Sequence, residues 1–268
     1  MNPWIPNRAA VVGSLVALAL LGGASVALGD GGGPTEAPPV VAEPRPARAE
    51  EAPMVPLDVE GFEPSLVVEP EGDGPQPVMI FLHGIRASVE EQCGWWRPLG
   101  RSYGWLLCLR GEREPKTTVR QDLWTYRRRG RVHREIEAAL KALEARYPGR
   151  VSREGAVLAG YSRGAIMAPK LALMAPPGRF PYLFLAEGGL DQLKRLGPRA
   201  LQSHGVKGIG MAMGTVMRRR RVERSVLPTL QKAGVRAVFV DMPGAGHRIG
   251  PDFPTTAPPA LRELLGDQ

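Results

Sequence analysis

Apolar residues are unevenly grouped along this chain. Short unbroken apolar runs occupy residues 78–82, 105–109, 156–159, 182–186, 208–213 and 235–240. Runs of that length without polar interruption suit strands covered on both faces, as in a parallel sheet. Between them the period changes. Ile136, Ala139, Leu140 and Leu143 recur at three- and four-residue spacing, predicting an amphipathic helix over 132–147 that Pro148-Gly149 ends. Further helices are expected from the Ser162 turn to about Met174, over 222–233 and over 259–265. Strands alternating with helices predict an α/β domain: a mostly parallel central sheet with helices on both faces.

The first fifth of the chain has a different texture. Residues 9–29 contain no charged side chain, and at 1.5 Å per residue in a helix they are long enough to span a bilayer. They read as a signal peptide or an N-terminal membrane anchor, with Ala27-Leu28-Gly29 acceptable as a small-residue cleavage site. Residues 30–56 are rich in Pro, Ala, Glu and Gly and have little to bury, so a disordered linker is expected. The domain then covers 57–268, enough for one full core. These readings place it outside the cytoplasm, periplasmic, secreted or held at the envelope through residues 1–29.

Charge and cysteines refine this picture. The formal net charge of +8 comes from arginine clusters, Arg127-Arg128-Arg129 with Arg131 and Arg218 through Arg221. No nucleic-acid motif or interleaved aromatics accompany them, so a nucleic-acid partner is not expected. Cys93 and Cys108 are the two cysteines, and in an oxidising compartment they are candidates for a disulfide. The alternative is two buried thiols. Neither has His or Cys at metal-ligand spacing, so no metal is expected, and no cofactor motif is present.

The chemistry concentrates where apolar runs end. Gly160-Tyr161-Ser162-Arg163-Gly164 follows the run 156–159 and opens a helix, the context in which G-x-S-x-G lifts a serine hydroxyl off a sharp strand-to-helix turn. His83-Gly84 follows the first run. His247 follows the last, in the loop Gly244-Ala245-Gly246-His247. The carboxyl ends of parallel strands share one edge of the sheet, which would bring the three together.

HG after an early strand, GYSRG on a central one and GAGH before the last helix resemble the α/β-hydrolase superfamily, in particular small bacterial esterases and dienelactone-hydrolase-like proteins, with Ser as nucleophile. The resemblance implies Ser162 as nucleophile, His247 as general base, and an oxyanion hole from the main-chain N–H groups of Arg163 and Ile85. The acid departs from the pattern. In the expected turn, Gly214-Thr215-Val216-Met217, Met217 stands where an Asp belongs. Asp191, in Glu187-Gly188-Gly189-Leu190-Asp191, resembles the version some lipases use and is the expected acid. Glu187, Asp241 or no acid at all remain alternatives. Trp95, Trp96 and Trp124 are candidates for lining the cleft or for the core.

The reading is a serine hydrolase for a small-molecule ester, without a large cap, because strands and helices fill the chain between Ser162 and His247. Two alternatives are a peptidase of the same fold and a non-catalytic, envelope-tethered binding protein on a degenerate hydrolase scaffold.

Overall fold

The computed structural model describes residues 52–115, 122–216 and 225–266. The apolar segment 1–29, most of the linker, Met217, the arginine run 218–221 and the start of the helix expected over 222–233 lie outside the described residues.

The strands are β1 (Val55–Leu57), β2 (Ser65–Val68), β3 (Gln76–Leu82), β4 (Trp105–Cys108), β5 (Glu112–Arg113), β6 (Trp124–Thr125), β7 (Val151–Tyr161), β8 (Tyr182–Ala186), β9 (Gly208–Gly214) and β10 (Arg236–Met242). All but the β5–β6 hairpin join one sheet, in the order β1-β2-β4-β3-β7-β8-β9-β10. The sheet is parallel from β4 to β10, and β1 and β2 add an antiparallel edge. The helices are α1 (Val89–Tyr103), α2 (Arg129–Arg146), α3 (Arg163–Met174), α4 (Leu190–Leu196), α5 (Pro198–Ser203), α6 (Leu227–Lys232) and α7 (Phe253–Leu265).

The two-residue period of the strands divides the interior in two. Val78, Ile80 and Leu82 of β3, with Leu183 and Leu185 of β8, face Ile136, Leu171, Leu193 and Leu230 from α2, α3, α4 and α6. Met79, Phe81 and Phe184 point the other way, to Trp96 of α1 and Phe253 of α7. Trp96 stacks on Phe81 with ring centroids 4.8 Å apart and meets Phe184 edge-on at 5.8 Å. Both faces of the sheet are thus covered, which is why the buried stretches of β3, β4, β7 and β8 are almost wholly apolar.

Helix α1 shows how propensity yields to packing. Ser88 accepts the Glu91 N–H at 3.2 Å and caps it. Its interior nevertheless contains Pro98 and Gly100. A Cβ on Gly100 would stand 2.6 Å from the Leu106 Cβ, so the glycine is what lets α1 lie directly on β4. The same interface carries the cysteine pair. Cys93 of α1 and Cys108 at the end of β4 form a disulfide with Cα atoms 6.0 Å apart, and no described cysteine is free.

Replacing both cysteines by Ala should cost about 3 kcal/mol through the loop-closure entropy returned to the unfolded chain. In a domain of this size that is a fall in Tm of roughly 6–12 °C, measurable by calorimetry. An unchanged Tm would show that the bridge contributes nothing to stability.

Candidate active site

The carboxyl ends of β3, β7, β8, β9 and β10 meet at one edge of the sheet. The three non-glycine residues with positive φ among those described, Arg86 at 54°, Ser162 at 50° and Glu187 at 54°, all follow strands that end there. Such backbone strain costs on the order of 1–3 kcal/mol per residue and persists only where surrounding structure imposes it.

Ser162 links β7 to α3 with φ 50° and ψ −107°. The turn is this sharp because two backbones cross in contact. A Cβ on Gly164 would lie 1.9 Å from the Leu82 carbonyl oxygen, and one on Gly160 would lie 2.4 Å from the Gly164 carbonyl carbon. Main-chain bonds fix the crossing: the Gly164 N–H donates to His83 O at 3.1 Å, and the Ser162 N–H donates to Ala186 O at 2.9 Å. Arg163 begins α3, so its N–H has no acceptor within the helix.

Ser162 Oγ and His247 Nε2 are 2.8 Å apart. The loop that carries His247 is braced from several sides. The Tyr161 hydroxyl donates to the His247 carbonyl at 2.8 Å, and the Tyr161 ring lies 5.6 Å from the imidazole. The Val216 N–H donates to Ala245 O at 3.1 Å. Gly214 packs so closely that a Cβ there would sit 2.3 Å from that same oxygen. Partial burial holds the His247 imidazole below the usual histidine range. Burial and the charge of Glu187 push the Tyr161 phenol up to about 12, so it stays a hydrogen-bond donor.

The carboxylate beside His247 is Glu187. Its Oε2 is 3.5 Å from His247 Nδ1, and its side chain is only 2% exposed. Its Oε1 accepts the Gly214 N–H at 2.5 Å. The expected acid, Asp191, lies instead in the first turn of α4, exposed. There its charge complements the positive end of the helix. The reason is register. Tyr161 pairs with Ala186 across β7 and β8, so the residues that follow, Ser162 and Glu187, leave the sheet side by side. Four residues later the chain has already turned into α4. The signal was present in the sequence, since Glu187 directly follows the apolar strand β8 as Ser162 follows the buried end of β7.

His83 is wholly buried. Its Nδ1 lies 2.6 Å from Gly84 O and its Nε2 2.9 Å from Arg110 O, so it ties the loop after β3 to the segment after β4. Burial lowers its pKa. The Gly84 N–H is engaged by Gln92 Oε1 at 2.7 Å. The next residue, Ile85, sits in the turn and is 57% exposed. Trp96 and Trp124 are core residues. Trp95 meets the Tyr161 ring edge-on at 5.8 Å. Among the described residues no group of His, Cys, Asp and Glu is arranged to hold a metal ion.

Ser162→Gly should raise stability by about 1 kcal/mol by relieving the positive φ. Gly164→Ala should lower it by about 3 kcal/mol or more through the clash with Leu82 O. Urea unfolding of the two variants checks both signs, and a destabilised Ser162→Gly would show that the turn is not strained.

No family model and no curated protein sequence matches the chain. Solved structures do. Esterase PE8 is 19% identical over 78% of this chain and 100% of its own, with a TM-score of 0.54. TT1662 from Thermus thermophilus is 18% identical over 81% and 99%, at 0.55. EstE1, a carboxylesterase from a metagenomic library, is 17% identical over 81% and 86%, at 0.52. With its parallel sheet, covered faces and serine turn at the edge where the strands end, the chain has the α/β-hydrolase fold.

Proposed function

We propose that this chain is a serine hydrolase that cleaves carboxylic esters through an acyl-enzyme on Ser162. The observation that carries the reading is the relay of Ser162 Oγ, His247 Nε2 at 2.8 Å, and Glu187 behind Nδ1 at 3.5 Å. The second distance is long for a hydrogen bond, as is common before substrate binds, and lies within ion-pair reach.

Chemically, Ser162 Oγ attacks the ester carbonyl carbon as its proton passes to His247 Nε2. The oxyanion accepts the main-chain N–H of Arg163 and that of Ile85, the Gly84 N–H being engaged by Gln92. Collapse expels the alcohol, which takes the proton from His247. Water, deprotonated by the same nitrogen, then releases the acid and restores the serine. Glu187 fixes the imidazole tautomer and stabilises the imidazolium while remaining ionised.

Met217 at the usual acid position would suit a non-catalytic scaffold, but Glu187 beside His247 offers the carboxylate that Met217 lacks. A peptidase has no support from a cap, since none exists among the described residues. Export is part of the proposal. It rests on the apolar run 9–29 and fits a Cys93–Cys108 bridge, the kind of cross-link that persists in oxidising compartments. Envelope association through residues 1–29 belongs to the same proposal. Among the described residues no helix is long and apolar enough to cross a membrane.

With a short-chain acyl ester as substrate, Ser162→Ala and His247→Ala should each lose activity by roughly 10⁴ or more. Glu187→Gln should cut kcat by up to about 10⁴, whereas Asp191→Asn should leave it near wild type. A crippled Asp191→Asn beside a mild Glu187→Gln would reverse the assignment. The base works only when neutral, so activity should fall as pH drops through the His247 pKa. The acid limb of kcat/KM should therefore have its midpoint below 6.5, the usual histidine value. Loss of the Glu187 charge should move that limb lower still, a shift that a purely structural carboxylate would not produce.

A further inference from the structure

Most partly buried arginines of this domain are matched to a carboxylate. Arg110 pairs with Glu90, Arg150 with Glu69, Arg153 with Glu144 and Arg179 with Glu137. Arg163, directly behind Ser162 and also partly buried, is not. Its one polar side-chain contact among the described residues is Nε donating to the Tyr126 carbonyl at 3.1 Å.

That contact fixes the guanidinium instead of neutralising it. Tyr126 is itself rigid: 1% exposed, its ring 4.4 Å from the His83 ring and its hydroxyl donating to Leu109 O at 2.8 Å. With Nε occupied, the two Nη groups remain as an oriented fork, the geometry that receives a carboxylate through two hydrogen bonds. Positive charge there is reinforced by the amino-terminal end of α3, which Arg163 begins. Arg248, next to His247, is exposed and has no side-chain partner among the described residues. Among the described residues the carboxylate beside His247, Glu187, is directed at His247 and Gly214. Arg86 adds nothing to this field, because its cavity of about 500 Å³ is also lined by Glu90, Glu91 and Asp122.

We propose that the Arg163 side chain selects esters that carry a second, anionic carboxylate, placed a few bonds from the carbonyl that Ser162 attacks. The inference rests on the serine-hydrolase reading. It makes Arg163 bifunctional, its main-chain N–H serving the oxyanion and its guanidinium binding the remote carboxylate. A net charge of +8 is consistent with attraction of such substrates.

The test compares each acidic ester with the amide of the same shape. Monoethyl glutarate against its primary amide places the charge on the acyl side, and 3-acetoxypropionate against 3-acetoxypropionamide places it on the alcohol side. Purified protein should favour the charged member of at least one pair by about tenfold or more in kcat/KM. The preference should shrink as salt is raised. In Arg163→Gln the ratio should fall to near one whatever happens to the absolute rates, and Arg163→Lys should restore part of it. A wild-type ratio near one for both pairs, with the amides turned over, would overturn the proposal. So would a ratio that Arg163→Gln leaves unmoved. If neither acids nor amides are hydrolysed, the serine-hydrolase reading itself fails.

Discussion

The approach of α3 to β3 at Gly164 is the contact on which the site depends. With room for no atom between that α-carbon and the Leu82 carbonyl oxygen, the chain leaving β7 must reverse within one residue. That residue is Ser162, forced to φ 50°. The consequence is functional. A hydroxyl on a relaxed strand or inside a helix would point into a packed face. On this turn it stands at the sheet's edge, above the amino-terminal end of α3, beside the Arg163 N–H that has no acceptor within the helix.

The other two groups of the relay answer to the same frame. Parallel register sets Glu187 beside Ser162, and its own positive φ turns the carboxylate toward β9. There Gly214 donates to one carboxylate oxygen and packs against the loop of His247 with its missing side chain. The strand that would ordinarily supply the acid supplies a buttress here. A buried carboxylate is costly unless its oxygens are satisfied, and this one has a main-chain donor on one side and an imidazole on the other.

Much of this was legible in the sequence because the relevant physics is local. Continuous apolar runs announced β3, β4 and β7 through β10, and the glycine pair around Ser162 announced the turn. His247 stood out as the histidine of the glycine-rich loop that follows the last apolar run. Other features depend on tertiary packing and left weaker marks. Strands β1 and β2 are too short to show a period. The helical pattern of α1 is obscured by Pro98 and two glycines, and only the contact of Gly100 with Leu106 explains one of them. Helix α4 is capped by a left-handed Gly189 only two residues after Glu187, which made Asp191 look like part of the loop. Choosing between these acids required the register of β7 on β8, a long-range fact that motif spacing does not encode.

The central claim is that one serine, activated through His247 and Glu187, does the chemistry. The most direct measurement is the site and rate of modification by a fluorophosphonate, mapped by peptide mass spectrometry. The account predicts a single adduct on Ser162, absent in His247→Ala, greatly slowed in Glu187→Gln and formed at the wild-type rate in Asp191→Asn. An adduct on another residue, or equal labelling of Ser162 with and without His247, would contradict it.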